Sequence, residues 1–106
     1  MKHDEIVTDI IEKIKANHDQ EALEILHHHE YDIGRKHGEA DLIVLYRDHV
    51  DSYEVKTGRR HTEKANFQLR RAKRYINIEF HEYNVHSFLV FRPVGTKKYT
   101  INELKI

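Results

Sequence analysis

Apolar residues recur at helical spacing near the start of the chain. Ile6, Val7, Ile10, Ile11 and Ile14 form one stripe, which predicts an amphipathic helix over residues 4–16. Lys13 and Lys15 suit the negative end of that helix. Residues 23–33 alternate in a way that predicts a strand, with a helix over 20–29 as the competing reading. Gly34 and Gly38 bracket an expected turn over 34–38. The segment 40–46 (ADLIVLY) is apolar on both faces after Asp41, as in a strand covered on both sides of a sheet. Residues 47–51 are expected to turn, 52–57 to form the partner strand, and Gly58 to end it. A helix is predicted over 63–78, capped by the Thr62 hydroxyl, with Ala65, Leu69, Ala72 and Ile76 as a narrow apolar face. An apolar strand over 85–91 follows, then a turn marked by Pro93 and Gly95, and an edge element over 99–106. The order helix, strand, strand, strand, helix, strand predicts one α/β domain over 1–106 with a central mixed sheet flanked by helices.

Composition sharpens this picture in a few places. A chain of 106 residues supports a single core, and one this short is expected to gain buried surface by forming a homodimer. With no cysteine, a disulfide scaffold, a thiolate metal site and a cysteine nucleophile are all excluded. The start, MKHDEIV, has no apolar run of signal-peptide type, and no segment has the length of a membrane span; the expectation is a cytoplasmic, intracellular protein that does not engage a membrane. The formal net charge is zero, but its distribution is uneven. Between residues 56 and 74 stand Lys56, Arg59, Arg60, Lys64, Arg70, Arg71, Lys73 and Arg74, against the single acid Glu63. Such a run lacks the usual i,i+4 compensation, so phosphate contact competes with a merely solvated face.

The candidate chemistry lies in two short segments, GEADLIV at 38–44 and YEVKTG at 53–58. Glu54 and Lys56 project from one face of a strand. If 41–46 and 52–56 pair as a hairpin, the end of the second strand returns beside Asp41. Two carboxylates and an ammonium group then meet at one end of the sheet. Carboxylates held close together repel, and a divalent cation between them removes that cost. Few hard oxygen ligands suit magnesium, with manganese as a substitute. The bland alternative for Glu54 and Lys56 is a surface ion pair contributing roughly 0–1 kcal/mol. For Glu39 the bland reading is a surface charge or a partner for Lys36.

On these residues the chain resembles the PD-(D/E)XK nuclease superfamily, with Asp41 as the lone Asp and Glu54-Val55-Lys56 as the (D/E)XK element. Within it the chain looks like archaeal Holliday junction resolvases and small bacterial relatives with a GEIDLI-like strand before an EVK strand. The resemblance covers roughly residues 4–92. It implies a restriction-endonuclease-like αβββαβ core and a magnesium-dependent DNA endonuclease. Metal would be held by Asp41, Glu54 and the main-chain carbonyl of Val55, with Lys56 as the catalytic lysine. Ala40 stands where the motif's proline would be. Resolvase-like members also use an acid on the first helix, for which Asp4, Glu5, Asp9 and Glu12 are the candidates. Gln68 matches a helix glutamine of some exonuclease branches, but Ala72 stands where their tyrosine is expected.

Arg59, Arg60, Lys64, Gln68 and Arg71 are the expected nucleic-acid contacts, with Gln68 and Lys64 nearest the site. Phe67 and Tyr75 are candidates for stacking on unpaired bases. His61 reads as a loop residue. In the run His27-His28-His29, the first and third would share a strand face, with surface or dimer contact preferred over a zinc site. The rival functional classes are a DNA-binding or scaffolding module with a vestigial site, a nuclease acting on RNA, and a nuclease subunit of a restriction or repair assembly.

Overall fold

A computed structural model of the chain describes residues 2–58, 62–80 and 83–106, with Thr62 by its main chain alone. The expectations placed on Arg59, Arg60, His61 and the Thr62 hydroxyl fall outside the described residues. The elements are α1 (His3–Ala16), β1 (Glu24–Ile33), β2 (Lys36–Leu45), β3 (His49–Thr57), α2 (Thr62–Glu79), β4 (Asn84–Arg92) and β5 (Thr100–Leu104). The five strands form one sheet in sequence order. β3 and β4 are parallel, and the other neighbours are antiparallel. A parallel pair needs a crossover, and α2 supplies it. The α/β class and the mixed sheet therefore agree with the sequence pattern. Among the described residues, no helix is long and apolar enough to cross a membrane.

Several boundaries differ from expectation. Residues 24–33 form a strand, so the competing helix over 20–29 is not present. β2 starts at Lys36, because the turn after β1 uses only Gly34 and Arg35. Polar residues 36–39 can pair as strand because the ladder is made by main-chain groups. The second turn is also shorter than 47–51: the Tyr46 N–H donates to the His49 carbonyl at 2.9 Å, and β3 already begins at His49.

The helices cover opposite faces of the sheet. Ile6, Val7 and Ile10 of α1 pack on Leu42, Val44, Tyr53, Val55 and Val90. Ala72 and Ile76 of α2 pack on Ile43, Val50, Ala40 and Tyr31, while Ala65 and Leu69 pack on Leu89. Leu42, Ile43 and Val44 are all fully buried, as a strand covered on both faces requires.

One irregularity positions the site. Side chains alternate along a strand, so Ala40 should share a face with Leu42 and Val44. It lies on the opposite face, with Tyr31 against α2. β1 changes phase in the same way: Ile25 packs toward α1 and Tyr31 toward α2. The rung where both strands switch is His28 opposite Asp41, which is missing from an otherwise continuous ladder. His28 has φ 49, a left-handed value uncommon for a residue with a Cβ. A local break of this kind re-aims a side chain at a sheet rim.

Gly38 is fixed by a close approach. A Cβ there would stand 2.5 Å from the Tyr31 ring, which is stacked on Tyr75 at 4.5 Å between centroids.

Candidate active site

The pairing of β2 with β3 stops at Leu42 opposite Tyr53. Had it continued, the next rung would set Asp41 against Glu54. Instead the strands part, and the Val55 N–H that β2 would have engaged donates to the Asp41 carboxylate, to Oδ2 at 2.8 Å. The N–H and C=O of one strand residue face the same neighbour. The Val55 carbonyl therefore looks into the same gap as Asp41.

Asp41 and Glu54 are both buried. Burial, and secondly the adjacent Asp41 carboxylate, push the Glu54 carboxyl up to about 9, with Lys56 pulling the other way. Lys56 Nζ lies 3.5 Å from Glu54 Oε1, and its side chain is only 17% exposed. The surface ion-pair reading of Glu54 and Lys56 is thus corrected: this pair lines a cavity of about 270 Å³, together with Asp41, Val55, Thr57, Glu39, Gln68 and His3. Gln68 reaches the cavity from α2, and its buried Oε1 has no hydrogen-bond partner among the described residues. Glu39 sits at the rim and pairs with His28 at 3.6 Å rather than with Lys36.

None of the first-helix acids lines this cavity. Asp4, Glu5, Asp9 and Glu12 border a separate shallow surface hollow. Asp9 accepts from the Tyr99 hydroxyl and pairs with Lys13 at 3.2 Å, and the Asp4 side chain is 82% exposed. The helix residue that does reach the site is His3, whose Nε2 lies 3.2 Å from Asp41 Oδ2. Its position was readable in principle: His3, Val7, Ile10 and Ile14 stand at i, i+4, i+7 and i+11, so His3 extends the stripe that faces the sheet.

The phase change also corrects the reading of the histidine run. His27 is paired with Leu42 on one side of the break. His29 lies beyond it, with Nε2 3.0 Å from the Tyr75 hydroxyl of α2. His27 and His29 therefore do not share a face. His28 lies between the acids Asp4 and Glu39, at 3.4 and 3.6 Å.

Among the expected nucleic-acid contacts, Gln68 lines the cavity, Arg71 lines a neighbouring groove and Lys64 is exposed outside both. Arg71 donates to the His37 carbonyl at 3.2 Å, and its guanidinium lies 4.6 Å from the Phe67 ring centroid. The stacking candidates separate: Phe67 is 57% exposed, whereas Tyr75 is engaged by Tyr31 and His29.

The donor set fits a divalent cation. Two carboxyl groups share a buried space with one ammonium group, a main-chain carbonyl faces them, and an amide oxygen beside them has no partner. A cation would relieve the repulsion and the desolvation that now hold Glu54 protonated. Among the described residues, no three His, Asp or Glu side chains form a metal-holding group, so such a site would consist of two carboxylates with the carbonyl and water.

No family model and no curated protein matches the chain. A solved structure, the crystal structure of SSO0001, is similar over 97% of this chain at 20% identity, with a TM-score of 0.46. This chain spans 50% of that one.

Proposed function

We propose that this chain is a magnesium-dependent endonuclease that hydrolyses phosphodiester bonds in DNA, with a site and an αβββαβ core of the PD-(D/E)XK kind. The observation that carries the reading is the gathering of Asp41, Glu54 and Lys56 around one small polar cavity at the point where β2 and β3 separate. Asp41, Glu54 and the Val55 carbonyl would hold the cation, with manganese able to replace magnesium. The bound metal would supply Lewis acidity to a phosphate oxygen and lower the pKa of an attacking water.

The chain's own groups supply the rest. The hydrogen bond from Val55 fixes the Asp41 carboxylate, so the first ligand is oriented before any metal arrives. Burial and the neighbouring Asp41 carboxylate favour the protonated form of Glu54, and a metal binding there would displace that proton. Lys56 is aimed at the same cavity, where its ammonium can donate to a water or to a phosphate oxygen that gains charge during displacement. The free amide oxygen of Gln68 can accept from that water.

A resolvase-like subtype, acting on branched DNA, would need two copies to cut two opposed strands, which is the role we assign to a homodimer. The test is cleavage of supercoiled plasmid, linear duplex, single strand, RNA and a four-way junction, with magnesium, manganese or chelator, beside Lys56→Ala. Metal-dependent cutting of DNA that Lys56→Ala loses is the expected result. Absence of cutting on every substrate, with binding retained, would instead favour a binding module.

A further inference from the structure

A second cavity lies apart from the candidate active site. It is a groove of about 720 Å³ between the turn joining β1 to β2 and the outer side of α2. Arg35 of the turn and Lys36 at the start of β2 line one side, and Phe67, Arg70, Arg71 and Arg74 of the helix the other. The four helix residues stand at i, i+3, i+4 and i+7, so they form one face. Among the described residues no carboxylate lines the groove and none of its five cations is paired with one. Uncompensated positive charge lining a concave surface focuses a field that attracts polyanions.

Charge alone would fit any nucleic acid. Phe67 narrows the choice. It is 57% exposed in the middle of this positive surface, with the Arg71 guanidinium over one face of its ring and the rest of the ring open. A duplex presents phosphates to a groove but keeps its base faces stacked inside. An exposed ring set among cations that can contact phosphates offers its open surface to an unpaired base. Position adds a second constraint. Gln68, the next residue on α2, lines the candidate active site, so the groove begins one residue away from it.

We propose that this groove binds a single-stranded stretch of DNA next to the phosphate that is cut, with phosphates on Arg35, Arg70 and Arg74 and a base stacked on Phe67. The proposal rests on the nuclease reading for what lies beside the groove; the ligand class comes from the groove's own residues. The protein would then prefer flaps, gaps or junctions to intact duplex.

The experiment is fluorescence anisotropy in chelator, with a labelled oligodeoxythymidine and a duplex of equal length. The proteins are wild type, Phe67→Ala and the double variant Arg70→Ala/Arg74→Ala. Phe67 is exposed, so its replacement leaves the fold intact. Wild type should hold the single strand more tightly. Phe67→Ala should lose roughly tenfold or more on the single strand, the contribution of one stacked base, and little on the duplex. The double arginine variant should weaken both and flatten the salt dependence. Equal affinity for the two oligonucleotides, or an unchanged single-strand affinity in Phe67→Ala, would overturn the proposal. Single-strand binding that depends on Phe67, in a protein that cuts nothing, would support the groove and refute the nuclease.

Discussion

The Asp41 carboxylate accepts the Val55 N–H at 2.8 Å, at the point where the two strands stop pairing. One side chain thus replaces a missing rung and presents its remaining lone pairs to the cavity. Removing it should have two separable effects. In Asp41→Ala the buried N–H loses its partner, at a cost of about 1–3 kcal/mol. In Asp41→Asn the amide oxygen still accepts, so thermal stability should stay near wild type while metal binding and cleavage are lost. Thermal melts and a magnesium titration on both variants check this. Equal destabilisation by Ala and Asn would mean that the N–H bond is not what Asp41 contributes.

How much of this was legible beforehand follows from the physics of each element. The covered strand around Leu42, Ile43 and Val44 and the stripe of α1 announce themselves because burial imposes a periodicity. The motif residues Asp41, Glu54 and Lys56 could be placed together because a hairpin register follows from strand spacing. The phase break at His28 and Asp41 has no compositional mark, since neither residue is a glycine or a proline. His3 carries no motif signal of its own, and only its place on the inward stripe of α1 marks it. The groove beside α2 unites residues more than thirty positions apart in sequence, Arg35 with Arg74, and only the folded chain brings them together.

Burial of Glu54 should make stability depend on pH. Glu54 has its carboxyl raised from the usual 4.5 to about 9, chiefly by burial. Between those values the folded protein binds a proton that the unfolded chain has released. Stability contributed at this group therefore falls as pH rises through that window, by at most about 1.4 kcal/mol per pH unit. Below 4.5 both states are protonated and the dependence from this group vanishes. Glu54→Gln should flatten the wild-type slope of melting temperature between mildly acidic and mildly alkaline pH. Magnesium should raise the wild-type melting temperature most at the alkaline end, where proton release costs least. A variant with the same slope as wild type would locate the pH dependence elsewhere, the ten histidines being the obvious source.

Gly38→Ala tests the packing that supports the site from the other side. The new methyl would meet the Tyr31 ring at 2.5 Å, and that ring is 5% exposed and stacked on Tyr75. Overpacking of this kind costs about 1–3 kcal/mol. A melting temperature lowered by roughly 4–8 °C for each kcal/mol is expected. An unchanged melting temperature would show that Tyr31 is free to move aside.

His3 should act through Asp41 rather than on substrate. Its Nε2 lies 3.2 Å from Asp41 Oδ2, and its other nitrogen lies 3.3 Å from Asp4 Oδ1. A ring held at both ends orients the carboxylate it touches, and loss of a group behind a metal ligand typically costs 10–100-fold in metal affinity. His3→Ala should therefore weaken manganese binding, read by calorimetry, by roughly tenfold or more. His3→Gln keeps a donor of similar reach and should recover part of the loss. Both variants should bind oligodeoxythymidine in chelator as wild type does, since His3 lines the cavity at Asp41 and not the groove. Full manganese affinity in His3→Ala would leave His3 as a packing residue at the start of α1. Loss of oligonucleotide binding together with metal binding would point to a disturbed fold rather than to a positioned ligand.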